Sequence, residues 1–170
     1  KKTKEIFSFF NNKSNNDNKL QILTKYKVIK SGFIKSKNVC IYKDVVLSDT
    51  IRIYNIHLQS NWIKTMKSSY QNRVSEALKI KKHIDKSPFP VVVCGDFNDT
   101  PISYTYSSIK KGLNDSFQES GIGIGNSYVN IPTLRIDYIL HSKKYKSFNY
   151  EKHKYKFSDH YPISCDLLIP

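Results

Sequence analysis

Three short stretches carrying acidic residues, one of them with a histidine, stand at the edges of apolar runs and constrain the fold more than any other feature. They are Gly95-Asp96-Phe97-Asn98, Arg135-Ile136-Asp137-Tyr138 and Ser158-Asp159-His160-Tyr161-Pro162. The adjoining runs are Val91-Val92-Val93, Ile139-Leu140 and the segment from Ile163 to Leu168. Polar groups where a core strand meets a loop can be held rigidly and still be exposed, as a reactive site requires. Asp137 is the most demanding, because a carboxylate within an apolar strand has to be paired or reach solvent.

With 170 residues, 39% hydrophobic and 13% aromatic, the chain suits one folded domain and not a disordered segment. No apolar run is long enough to cross a bilayer, and the start, Lys1-Lys2-Thr3-Lys4, lacks the apolar core of a signal peptide. The compartment is left open. Cys40, Cys94 and Cys165 are widely spaced within apolar runs and read as small buried hydrophobes, not as a disulfide framework or a metal knuckle.

Charge is uneven. Residues 1–90 carry 19 Lys and Arg against 6 Asp and Glu, whereas residues 91–170 carry 9 against 8. A basic half attracts polyanions such as nucleic acid or an anionic membrane. The excess is nearly all lysine beside abundant Asn and Ile, so a compositional habit accounts for it equally well, and both readings stand.

Periodicity predicts two hairpins, Glu5–Phe10 with Leu20–Ile29 and Asn38–Leu47 with Thr50–Leu58, the latter turning at Ser48-Asp49. In Thr50–Leu58, Ile51 and Ile53 share one face while Arg52, Tyr54 and Ile56 share the other, which predicts a sheet covered on both sides. A helix is expected over Met66–Ile84, a central strand over Pro90–Cys94 and a short helix over Ile102–Lys111 after Thr100-Pro101. Leu113–Asn130 reads as irregular, with a flexible loop at Gly121–Gly125, and strands follow at Arg135–Ser142, Phe148–Tyr155 and Ile163–Ile169. His83, His141 and His153 read as surface residues.

Taken with Asn55-Ile56-His57-Leu58 and Thr24-Lys25-Tyr26, the stretches at Gly95–Asp99, Arg135–Leu140 and Ser158–Ile163 resemble, in order and spacing, the motifs of the endonuclease/exonuclease/phosphatase superfamily. The likeness extends over about residues 20–169. It implies an α/β fold of two mixed sheets packed face to face with outer helices, a four-layer sandwich. It implies a magnesium-dependent phosphoesterase, with manganese as a substitute ion and a nucleic acid, phospholipid headgroup or sugar phosphate as substrate, and no obligate protein partner. Carried over motif by motif, Asp96 would orient and deprotonate water, Asn98 would hydrogen-bond the phosphate, His57 would contact the phosphate or leaving group, Asp159 would hold the metal directly or through water, and Asp137 would fix the tautomer of His160 at the phosphate. The family's N-terminal Gln-Glu motif, whose Glu is the principal magnesium ligand, has no counterpart here. The chain is therefore expected to match the C-terminal two-thirds of one domain, residues 1–170, with weakened metal affinity. A non-catalytic polyanion-binding module using the basic half is the alternative.

Overall fold

The computed structural model describes residues 20–60, 66–154 and 158–170. Its elements run β1 (Val28–Ile34), β2 (Ser36–Val46), β3 (Thr50–His57), α1 (Met66–Asp85), β4 (Val91–Asp96), α2 (Tyr104–Lys110), β5 (Leu113–Asp115), α3 (Ser116–Ser120), β6 (Asp137–Ser142), β7 (Lys146–Lys152) and β8 (Ile163–Leu168). A mixed six-stranded sheet has the order β1-β2-β3-β4-β6-β5, and β7 pairs with β8 in a second, antiparallel sheet. Among the described strands only β3 and β4 pair in parallel, joined by the crossover that contains α1.

The alternation in Thr50–His57 sorts the core into two layers. Tyr54 and Ile56 meet Ala77, Ile80 and Ile84 of α1 and Tyr106 and Ile109 of α2 on one side. On the other, Ile51 and Ile53 join Val92, Cys94 and Ile139, against which Ile163, Cys165 and Leu167 of β8 pack. The two sheets thus meet face to face with helices outside the larger one, as expected. Burying these apolar faces contributes roughly 1.5–3 kcal/mol per large side chain. Cys40, Cys94 and Cys165 are free thiols, the first two buried.

All three arginines are buried in ion pairs. Arg52, Arg73 and Arg135 are 5%, 3% and 5% exposed. They bind Asp44 (2.6 and 2.8 Å), Asp99 (3.0 Å) and Asp115 (2.8 and 3.2 Å) respectively. Among the described residues no helix is long and apolar enough to cross a membrane.

Several expectations need correction. Glu5–Phe10 lies outside the described residues, and the strand expected at Leu20–Ile29 forms at Val28–Ile34. The hydroxyl of Thr24 accepts from the Tyr26 N–H at 3.1 Å, a local turn that interrupts extension before β1. The helix after Pro101 begins at Tyr104, because Ser103 is its N-cap and accepts from the Tyr106 N–H. Within the stretch read as irregular, β5 pairs with β6 and Asp115 caps α3 by accepting from the Phe117 N–H. Gly125, at φ 70°, sits so close that a Cβ there would lie 2.4 Å from the Phe117 ring. His141 is fully buried, its Nε2 3.2 Å from Glu119 Oε2, because β6 lies inside the sheet and is covered on both faces. His83 and His153 are half-buried, hydrogen-bonded to the Tyr54 hydroxyl and the Ser164 hydroxyl.

Candidate active site

Three adjacent strands deliver one polar residue each in a single row across the sheet. His57 ends β3, Asp96 ends β4 and Asp137 begins β6; the register pairs His57 with Asp96 and Asp96 with Asp137. Strand spacing of about 4.8 Å then places the three side chains side by side. His57 Nε2 stands 3.7 Å from Asp96 Oδ2. His160, in the loop before β8, completes the group: its Nδ1–H donates to Asp137 Oδ2 at 2.8 Å and its Nε2 is 3.9 Å from Asp96 Oδ2.

Asn98 joins the site through the turn after β4. It adopts φ 49°. Its N–H donates to Asp96 Oδ1 at 2.7 Å and its side-chain amide donates to the Leu58 carbonyl at 2.8 Å. These bonds hold a left-handed conformation that Asn tolerates better than most residues. Asp159, beside His160, is anchored through its carbonyl, which accepts from the Val129 N–H at 2.9 Å. The structure therefore brings His57, Asp96, Asn98, Asp137 and His160 to one end of the larger sheet, with Asp159 adjoining them.

Two further residues shape the site without a motif to announce them. The Ser127 hydroxyl accepts from both the Ile136 and the Asp137 N–H, at 3.1 and 3.0 Å, and so seats the start of β6. The Tyr128 ring stands edge-on to His160, centroids 5.3 Å apart. Only the neighbouring apolar Tyr-Val pair hinted that this loop turns inward.

Electrostatics separate the two acidic groups from the histidine. Burial raises the Asp96 carboxyl to about 7, reinforced by the charge on Asp137 and, less, on Asp159, against the opposing pull of His160. At His160, burial opposes the imidazolium, but the Asp137 hydrogen bond and the charges of Asp137, Asp96 and Asp159 outweigh it and raise the group to about 9. Near neutral pH the arrangement is a charged imidazole between two carboxylates, one of them poised near its midpoint.

Folding therefore favours the imidazolium. That stabilisation is complete below the ordinary histidine value of 6.5 and is lost as pH rises through about 9. In metal-free protein we expect urea stability to fall by about 1–2 kcal/mol between pH 6 and 9.5 from this pair, after allowance for solvent screening at a partly exposed site. Asp137→Asn should remove that part of the slope; an unchanged slope would refute the assignment.

Asp96, Asp137 and His160 offer ligand atoms that all lie within 4.8 Å of one another, the one such group among the described residues. The donors fit a hard divalent cation only through their carboxylates, because Nδ1 of His160 is committed to Asp137 and the ring is protonated near neutrality. Crowded acidic groups, one of them lifted to about 7, are a charge deficit that such a cation relieves.

The chain belongs to the endonuclease/exonuclease/phosphatase family, whose model matches residues 41–160. No curated protein sequence matches it significantly. An endonuclease/exonuclease/phosphatase family protein from Bacteroides thetaiotaomicron shares 18% identity and a TM-score of 0.64 over 86% of this chain and 65% of that one. The mannosyl-6-phosphatase of Bacteroides thetaiotaomicron VPI-5482 shares 17% identity and a TM-score of 0.65 over 96% and 77%. A 3′ phosphatase from Neisseria, bound to product DNA hairpin, shares 15% identity and a TM-score of 0.67 over 87% and 74%. At these identities the likeness is one of fold, and the chain spans just under two-thirds of the first relative's length.

Proposed function

We propose that the protein is a divalent-metal-dependent hydrolase of phosphate esters, acting by in-line attack of water. The observation that carries this reading is the row of His57, Asp96 and Asp137 with His160 locked on Asp137. A module that merely binds polyanions has no use for carboxylates at the phosphate. Both phosphatases whose fold it shares act on phosphate esters, one named for a phosphosugar and the other bound to product DNA.

In this mechanism Asp96 orients the attacking water and takes its proton. The imidazolium of His160 donates to a non-bridging oxygen, and Asp137 keeps its orientation and charge. Asn98 spends one amide N–H on Leu58 and offers the other to the phosphoryl group. His57, 31% exposed at its side chain, would contact the phosphate or the leaving group. Asp159 would hold magnesium, or manganese in its place, directly or through water. The bound cation would supply a Lewis acid for the phosphoryl oxygens.

Hydrolysis of bis(p-nitrophenyl) phosphate in magnesium or manganese tests the reading. EDTA should abolish turnover, and Asp159→Ala should raise the manganese concentration needed for half-maximal rate by about tenfold or more. Full activity in EDTA would end this reading and favour the polyanion-binding alternative.

A further inference from the structure

Arg73 and Glu76 stand one turn apart on the inner face of α1, each 3% exposed, away from the row of reactive groups. Between them they grip the main chain of Gln59 from both sides. Its carbonyl accepts from Arg73 Nη1 at 2.9 Å, and its N–H donates to Glu76 Oε2 at 2.9 Å. Lys35, in the turn between β1 and β2, steadies the other Glu76 oxygen at 2.6 Å. Arg73 also reaches across to the next loop, where its Nε donates to Asp99 Oδ2 at 3.0 Å.

Gln59 lies two residues after His57, and Asp99 directly follows Asn98. The loops are tied a third time where the Asn98 amide donates to the Leu58 carbonyl. One guanidinium therefore spans the loop that follows His57 and the loop that carries Asn98. A planar fork can hold two acceptors at a fixed separation, which an ammonium on a flexible stem cannot. Asn98 is also the residue most in need of such support, because its φ of 49° persists only where its surroundings over-determine it.

We infer that Arg73 and Glu76 are positioning residues that set the spacing between His57 and Asn98, and that turnover depends on them through those two residues. The inference rests on the hydrolase reading above. A guanidinium that served only to stabilise α1 would lower the melting temperature and leave kcat alone.

The test uses folded protein with manganese and bis(p-nitrophenyl) phosphate. Arg73→Lys and Glu76→Gln should each lower kcat about 10- to 50-fold while KM stays within about twofold, since displacement by a fraction of an ångström acts on the transition state and not on encounter. In an Asn98→Ala background the same substitutions should cost several-fold less than they do in the wild type, because one of the two groups they position is gone. Ser75→Ala, exposed on the same turn, should change nothing. Unchanged kcat in both variants, or an undiminished loss in the Asn98→Ala background, overturns the inference.

Amide exchange separates failure of the clamp from failure of the hydrolase reading. Arg73→Lys and Glu76→Gln should speed exchange of the Gln59 and Asn98 N–H at least about tenfold while the Ile80 N–H in α1 keeps its protection. If wild-type protein hydrolyses nothing, the hydrolase reading fails and the dependence of turnover falls with it; accelerated exchange then still supports the spacing role. Unaltered exchange at Gln59 and Asn98 overturns that role as well.

Discussion

Asp96→Asn should lower kcat on bis(p-nitrophenyl) phosphate by about a thousandfold or more at saturating manganese. The substituted side chain keeps an oxygen for the Asn98 N–H that now donates to Oδ1, so the turn survives. On the proposed mechanism, what disappears is the carboxylate that takes a proton from water. About 4 kcal/mol of transition-state stabilisation is the scale expected for a general base with no replacement nearby. Single-turnover rates and manganese binding measured on the same preparation decide the matter. Turnover within about tenfold of wild type would remove Asp96 from the chemistry.

The second large effect is on folding. Gly95→Ala should destabilise the protein by at least about 4 kcal/mol or prevent its expression in soluble form. Gly95 lies at φ 130°, and a Cβ on it would stand 2.0 Å from the Ile56 carbonyl oxygen and 2.8 Å from the Ile56 nitrogen. These are main-chain atoms of the neighbouring parallel strand, so no side-chain rotation relieves the clash. The residue next to Gly95 is Asp96, which makes the close strand approach and the placement of the carboxylate one structural event. Chemical denaturation of the variant is the measurement, and a loss below about 1 kcal/mol would show that β3 and β4 can separate to admit a methyl group.

Much of this fold is legible in the amino-acid sequence because local chemistry and tertiary structure agree. The Ser48-Asp49 turn, the alternation through Ile51–Ile56 and the apolar run at Val91–Cys94 each specify their element without outside help. The candidate site residues stand out for a related reason: polar residues at the ends of buried strands are exceptions that core packing alone does not explain. Other parts depend on partners distant in sequence. A three-residue strand such as Leu113–Asp115 is too short for a periodic signal and exists because β6 offers it an edge. His141 looks like any charged-capable residue beside Ser142 until both faces of β6 are covered. Arg73 sits in a helix rich in lysine, and nothing in its neighbourhood announces Gln59 or Asp99 as its acceptors.

The confinement of every arginine to an internal ion pair divides the positive charge of this protein by chemical type. Guanidinium groups, which do not lose their proton in any accessible pH range, serve as internal struts against Asp44, Asp99 and Asp115. Among the described residues the positive charge turned outward is amine charge, which acylation or strongly alkaline solution can discharge. Some amines fasten the fold as well, as where Lys35 holds Glu76 and Lys43 donates to the Ile22 carbonyl, but no guanidinium is left for the surface. Reagents selective for primary amines can therefore lower the positive charge of the surface while leaving the three arginine pairs chemically untouched.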